Sequence, residues 1–158
     1  MDTETATRWL SDAEQCAWRT HLDVSKLLTH QLEKDLQPFG LTMNDYEILV
    51  NLSESAERRM RMSDLAAMTL QSKSRLSHQI TRMETAGLVR RENCESDRRG
   101  LFAVLTDQGM ETMQRVAPHH VESVRRHFID LLSPEALAEL RASLTPVAEQ
   151  LRGRRGKI

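Results

Sequence analysis

The chain has 158 residues, the usual size of one domain and enough for a hydrophobic core. Charged residues make up 28% of it, no apolar run approaches about 18 residues, and the acidic start has no apolar signal segment. These features predict a globular cytoplasmic protein that is neither embedded in a membrane nor exported. Cys16 and Cys94 are far apart and form no C-x-x-C pair, so neither a disulfide framework nor a zinc site is expected.

The net charge of −1 hides an uneven distribution along the chain. Residues 57–99 carry 10 Lys and Arg against 6 Asp and Glu, whereas the rest of the chain carries 12 against 17. A basic middle between acidic ends favours an anionic partner for the middle. Arginine supplies 18 of the 22 cations, and its fork of donors suits phosphate and guanine, although a high-GC coding bias would give the same composition.

Two helices are predicted in the first third of the chain. Ser11 and Glu14 form a capping-box pattern at the start of a helix from Asp12 to about Gln37, where the sequence PFG ends it. Thr42 begins a second helix. The segment 53–61 breaks the helical pattern and is predicted as a loop with a short strand.

The middle of the chain predicts a helix-turn-helix followed by a β-hairpin. Ser63 is expected to cap a third helix, and Ser72 a fourth that ends at Gly87. Residues 88–92 and 100–106 are β-prone and flank an acidic turn with arginines at its tip.

Two further helices complete the predicted fold. Asp107 is expected to cap a helix over 108–132, and Ser133 a last helix with Pro134 at its first position, while internal prolines at 118 and 146 should kink both. The last helix repeats apolar residues at steps of three and four, a coiled-coil-like seam. Its members are Leu137, Leu140, Leu144, Val147 and Leu151. Because these stripes exceed what the small middle can cover, we expect 11–37 and 108–152 to be the dimerisation helices of a homodimer.

The fourth helix is the candidate DNA-contacting element. Leu76, Ile80 and Met83 share one face and should pack inward. The other face is polar and lacks acidic residues, so its side chains can donate to base edges and phosphates in a major groove. The predicted contacts are Gln71, Ser72, Lys73, Ser74, Arg75, Ser77, His78 and Arg82. An amphipathic helix with an ordinary polar surface is the alternative.

The hairpin after this helix strengthens the DNA interpretation. A recognition helix followed by an arginine-tipped hairpin is the pattern of a winged helix. Arg98 and Arg99 lie where the wing would meet a minor groove, and Asp97 is placed to orient one of them. The predicted fold is therefore mainly α (α+β): a single domain, 1–158, with a winged helix-turn-helix lobe at 42–107. Within the lobe, the helix-turn-helix lies at about 63–86 and the wing at about 88–106.

The segment 65–109 resembles the core of the MarR family of bacterial transcriptional regulators. The resemblance rests on Leu65-Ala66, on Ser72, on GLV at 87–89, on DRR at 97–99 and on LTDQG at 105–109. It extends over nearly the whole chain, because the long first helix and the last two helices match the family's dimerisation region. Leu70 is a departure, since many relatives have glycine in this turn.

The resemblance implies a homodimeric repressor that binds a palindromic DNA operator. It implies that the fourth helix enters the major groove and that Arg99, together with Arg98, enters the minor groove. It also implies release of the DNA by a small phenolic or aromatic carboxylate ligand, a metal or an oxidant. Four residues lie in the helices that flank the family's ligand pocket: Trp18, Arg19, His30 and Met43. Core or dimer packing is the alternative role for each of them.

The cysteines and histidines are the remaining candidates for a functional site. Cys16 lies where a thiol-oxidation branch of the family has its reactive cysteine, but this chain has one tyrosine where that branch has several, and we interpret Cys16 as buried and inert. Cys94 is expected to be exposed near the wing tip. His119, His120 and His127 lack the spacing of a metal site and are interpreted as surface residues. No nucleophile triad, carboxylate pair or glycine-rich phosphate loop occurs, so neither an enzyme nor a cofactor is predicted. The rival class is a winged-helix protein-interaction module without DNA binding.

Overall fold

The structure is a computed structural model that describes residues 7–94 and 97–153, without the side chains of 94–99. Its helices are α1 Asp12–Leu36, α2 Met43–Glu54, α3 Met62–Met68, α4 Lys73–Thr85, α5 Asp107–His127 and α6 Pro134–Gly153. Its strands are β1 Arg59–Arg61, β2 Val89–Cys94 and β3 Asp97–Leu105. Short 3-10 turns lie at Gln37–Phe39, Ala56–Arg58 and Ile129–Leu131.

Capping boxes fix the starts of the first two helices, as predicted. In α1, the Ser11 hydroxyl accepts from the Glu14 N–H at 3.3 Å, and the Glu14 carboxylate accepts from the Ser11 N–H at 2.8 Å. Thr42 and Asp45 exchange the same pair of bonds at the start of α2, at 3.1 and 2.9 Å. Each box satisfies two backbone donors that the helix itself leaves unpaired.

Three predicted boundaries were wrong. Helix α3 begins at Met62, so Ser63 lies inside it and its hydroxyl bonds to the Asp64 carboxylate instead of capping the helix. Thr106, and not Asp107, caps α5, because its hydroxyl accepts from the Gly109 N–H at 2.9 Å. Helix α5 ends at His127, five residues before the predicted end, since the backbone of the next residue leaves the helical region and a 3-10 turn follows.

The strands form one antiparallel sheet in the order β1-β3-β2. In β3, Phe102 lies between Arg61 of β1 and Glu92 of β2, and the guanidinium of Arg61 lies 5.5 Å from the Phe102 ring centre. The short strand predicted after α2 is therefore confirmed. It joins the base of the wing to the helical lobe, and β2 is an edge strand of the described sheet.

The core lies in the middle lobe. It is formed by the inner faces of α2, α3 and α4 against the sheet and one residue of α5. Its fully buried side chains are Leu36, Ile48, Leu49, Leu52, Leu65, Leu76, Ile80, Met83, Val89 and Val116. Helix α1 adds buried residues only near its carboxyl end, and none of the described residues of α6 is buried. Within the described ranges, no helix is both long enough and apolar enough to span a bilayer.

Candidate nucleic-acid interface

Helix α4 presents one apolar and one polar face, as its sequence predicts. The Ser72 hydroxyl accepts from the Arg75 N–H at 3.2 Å and so starts the helix. The predicted inward residues Leu76, Ile80 and Met83 are at most 2% exposed and anchor the helix in the core. Seven of the eight residues on and just before α4 that are proposed to contact DNA are exposed. The exposed residues are Ser72, Lys73, Ser74, Arg75, Ser77, His78 and Arg82.

Gln71 is the exception on this surface. Both polar atoms of its side-chain amide are buried and find no hydrogen-bond partner among the described residues. In this structure the amide is therefore turned away from the polar face of α4. An unpartnered buried amide is costly, so the turn that holds it carries a local energetic penalty.

The turn before α4 is also strained in its backbone. Leu70 has φ +58°, in the left-handed region that favours glycine, and its side chain is exposed. Leu70, which stands where many relatives have glycine, thus keeps the left-handed turn conformation at an energetic cost.

Asp45 joins α2 to the recognition helix. Besides capping α2, its carboxylate accepts from Gln79 Nε2 at 3.0 Å and from an Arg82 guanidinium nitrogen at 2.6 Å. Burial raises the pKa of Asp45, but the hydrogen bonds from Thr42, Gln79 and Arg82 lower it by more, so the pKa lies below its ordinary value. The carboxylate is therefore ionised at neutral pH and holds Arg82 at a defined place on α4.

A polar cleft lies beside this ion pair. Its volume is about 510 Å³, and residues of α4 form one wall while the carboxyl end of α1 and the start of α2 form the other. The lining residues are Glu33, Thr42, Asn44, Arg75, His78, Gln79 and Arg82. Three of the predicted DNA contacts thus share one depression of the surface.

The wing is tied to the helical body at its base. The Thr106 hydroxyl donates to the Gly87 carbonyl at 2.6 Å and also lies 3.0 Å from the Leu88 carbonyl. Gly87 has φ +74°, which ends α4 and turns the chain into β2 as predicted. Gly109 is needed for close approach, because a Cβ there would lie 2.1 Å from the Leu88 carbonyl oxygen. The threonine and glycine of the LTDQG sequence therefore both act at this junction.

The predicted minor-groove group lies partly outside the described residues. The backbone of residues 97–99 forms the start of β3, but the side chains of Asp97, Arg98 and Arg99 are not among those described. The pairing of Asp97 with an arginine therefore stays a prediction.

The four predicted ligand-pocket residues are spread along the molecule. Trp18 is exposed and stacks on the His21 ring at 5.9 Å, and Arg19 bonds to the Gln15 amide. His30, twelve residues further along α1 and so about 18 Å away, lines a different surface depression with Glu33. Met43 packs at the edge of the core. A single chain does not bring the four together around one cavity.

The predictions that Cys16 is buried and that His120 and His127 are surface residues were wrong, whereas His119 is exposed as predicted. Cys16 is exposed and not buried, because the amino-terminal part of α1 extends beyond the lobe that would cover it. His120 is half-buried, with its ring centre 4.4 Å from that of Tyr46, and burial lowers the pKa of this imidazole. His127 is also half-buried, 3.2 Å from an Asp35 oxygen that accepts from the Ser123 hydroxyl as well. Among the described residues, no group of three or more His, Cys, Asp and Glu could hold a metal ion.

The terminal helices leave an apolar groove uncovered. It has a volume of about 530 Å³ and lies between α1 and the segment from the end of α5 into α6. Its apolar lining is Ala17, Val24, Leu28, Phe128, Leu132, Ala136, Leu140 and Leu144. Towards the end of the predicted seam, Val147 and Leu151 are more than half exposed.

Comparison with known proteins assigns this architecture to a family. A model described as the MarR family matches residues 39–100. The HTH-type transcriptional regulator PecS of Dickeya dadantii is 33% identical over 132 residues, which are 81% of this chain and 77% of PecS. The chain belongs to the MarR family.

Crystal structures of other MarR family transcriptional regulators share the fold. That of AbsC from Streptomyces coelicolor is 81% identical, with a TM-score of 0.89 over 93% of this chain and 99% of that one. That of Sco3205 from the same organism, in complex with DNA, is 44% identical, with a TM-score of 0.88 over 94% of this chain and 93% of that one. The winged helix-turn-helix fold and the role of transcriptional regulator expected from the sequence are thus confirmed.

Proposed function

We propose that this MarR family regulator binds a palindromic DNA operator as a homodimer, acts as a repressor in the cytoplasm and catalyses no reaction. The observation that carries the proposal is the outer face of α4. Lys73 and Arg75 are exposed on its first turn, and neither forms a salt bridge with a described residue. Their charge is therefore free for phosphates and base edges, at the end of the helix that enters a major groove in helix-turn-helix proteins.

The likeness to Sco3205, whose crystal structure contains DNA, supports this assignment. Within it, Arg75 contacts guanine in the major groove, while Arg99, with Arg98, enters the minor groove and Asp97 holds the arginine in place. Gln71 is the contact that this structure supports least, because its amide is buried.

A second copy of the chain is the proposed cover of the terminal helices. Eight of the eleven residues that line the groove between α1 and α6 are apolar, and exposed apolar area of this kind is unfavourable in water. The seam of Leu137, Leu140, Leu144, Val147 and Leu151 continues along α6 from the same groove. An obligate dimer explains why α6 has no buried residue in one chain.

Salt-dependent binding of DNA selected from a randomised library tests the proposal. Arg75→Ala should weaken binding by about 1–3 kcal/mol per half-site and relax base preference there. Arg115→Ala is the matched control, since it removes an exposed arginine from α5, which lies outside the proposed DNA-contacting surface and does not line the groove between α1 and α6. Absence of binding at about 50 mM salt would favour a protein-interaction module and overturn the proposal, as would equal effects of the two substitutions.

Release of DNA by an effector has two candidates. An aromatic carboxylate is one, bound in a pocket to which both chains of the dimer contribute, since one chain does not bring Trp18, Arg19, His30 and Met43 together. It should raise thermal stability and weaken operator binding. Oxidation of Cys16 is the other, favoured by the exposure of this thiol in the single chain. Peroxide should then weaken binding in the wild type but not in Cys16→Ser, and a reductant should restore it.

A further inference from the structure

We propose that Arg91 is a positioning residue that holds the recognition helix α4 at a fixed place relative to the wing, without touching DNA. The proposal rests on the proposed DNA-binding function. It concerns how α4 and the wing, the two proposed DNA-contacting elements, are held in a fixed relative position.

Arg91 contacts α4 through both its backbone and its guanidinium group. Its backbone N–H donates to Glu84 Oε1 at 2.8 Å, and one guanidinium nitrogen donates to Glu84 Oε2. The other guanidinium nitrogen donates to the Ser77 carbonyl at 2.7 Å and lies 3.2 Å from the Ser77 hydroxyl and 3.1 Å from the Thr81 hydroxyl. One side chain of β2 therefore bridges two turns of α4.

The contacts use groups that the secondary structure leaves open. Because β2 is an edge strand, its outward N–H groups have no strand partner, and Glu84 accepts from that of Arg91. Ser77 and Thr81 lie one turn apart on α4, so the arginine fork lies along the helix axis and opposes both sliding and rotation. A single hydrogen bond would not fix both.

The charge of Arg91 is already matched within the protein. Its side chain is 21% exposed and that of Glu84 is 29% exposed, so the pair is largely shielded from solvent. A guanidinium whose charge is neutralised by a carboxylate and mostly covered by protein attracts a phosphate only weakly. Ser77, predicted from the sequence as a DNA contact, has its hydroxyl turned towards Arg91 in this arrangement.

The neighbouring arginine provides a matched control. Arg90 lies on the opposite face of β2 and pairs with Glu92 of the same strand. Arg90→Met and Arg91→Met remove the same charge from adjacent positions, but only the second removes the link to α4. We expect Arg91→Met to weaken binding to a library-selected operator roughly three- to thirty-fold, the range typical of coupling between packed elements. Arg90→Met should change it less than threefold.

The salt dependence separates positioning from direct contact. If Arg91 touched a phosphate, its loss would lower the slope of log affinity against log salt by about 0.9 per protomer. We expect the slope for Arg91→Met to stay that of the wild type, and a slope reduced by about 0.9 per protomer would overturn the proposal.

Glu84→Gln gives the sharpest contrast. Removal of a negative charge near DNA should strengthen binding if electrostatics alone matters. Glutamine can still accept one hydrogen bond but carries no charge to pair with Arg91, so a weakened link predicts weaker binding. The double variant Glu84→Gln/Arg91→Met should be no weaker than Arg91→Met alone. Stronger binding by Glu84→Gln, or additive losses, would overturn the proposal.

Hydrogen exchange in the full chain without DNA distinguishes loss of this link from a general loss of stability. Exchange should become faster in β2 for Arg91→Met, with α2 unchanged and Arg90→Met like the wild type. Faster exchange throughout the protein would overturn the proposal. If the wild type itself bound no DNA, the proposed function would fail, whereas this exchange pattern would still report the link between wing and helix.

Discussion

Replacement of Asp45 by alanine should destabilise the protein through a cap and two cross-helix bonds at once. Asp45 is 4% exposed; its carboxylate completes the capping box that Thr42 begins and accepts from Gln79 and Arg82 of α4. Loss of a helix cap costs about 1 kcal/mol. The bond from Arg82, whose side chain is 59% exposed, is worth about 1 kcal/mol after allowance for solvent screening. The buried amide of Gln79 loses its acceptor, at about 1–2 kcal/mol. The expected loss in the free energy of unfolding is therefore about 3–4 kcal/mol.

Urea unfolding followed by far-ultraviolet circular dichroism measures this loss, with all variants at one protomer concentration. Glu14→Ala is the matched control, because Glu14 occupies the same capping-box position in α1 but is exposed and has no partner on another helix among the described residues. It should lower the free energy of unfolding much less than Asp45→Ala does, because it removes only an exposed capping bond. If Asp45→Ala cost no more than Glu14→Ala, the cross-helix bonds would contribute nothing and our account of how α4 is held would be wrong.

Three further outcomes follow from the same geometry. The free energy of unfolding of the wild type should exceed that of Asp45→Asn by less as the pH falls from about 5 to 3. The reason is that the pKa of Asp45 is lower in the folded chain than in the unfolded chain, so the unfolded chain takes up the proton first. A difference independent of pH would contradict this. Leu70→Gly should raise the free energy of unfolding by about 1 kcal/mol, since it relieves a left-handed backbone without exposing buried surface, and a loss would show that the strain is absent. Gly109→Ala should lower the melting temperature through the clash with the Leu88 carbonyl at a cost of about 3 kcal/mol, whereas Gly153→Ala, with open space around it, should not lower it.

Features set by local chemistry could be predicted from the sequence. The capping boxes at Ser11 and Thr42 depend on residues three apart, and the inner face of α4 follows from helical spacing. The wing followed from Gly87 and the β-prone segments after it.

Features that depend on long-range packing could not. Asp45 is 37 residues from Arg82, and no sequence spacing relates a cap to a partner on another helix. The link from Arg91 to Ser77 depends on how β2 lies against α4. The exposure of Cys16 depends on which part of α1 packs against the middle lobe. The spacing of apolar residues along α1 does not indicate this. Thr106 was overlooked because Asp107, beside it, is an equally good capping residue by type.

The central claim is that two copies of this chain place two α4 helices in successive major grooves. Selection of binding sites from randomised DNA with the full-length protein, followed by measurement of the stoichiometry on the selected duplex, tests it most directly. We expect an inverted repeat with half-sites centred about 10 base pairs apart, about 34 Å along the DNA, with one dimer bound per duplex. Selection of a single unpaired half-site bound by one chain, or no enriched sequence, would contradict the claim.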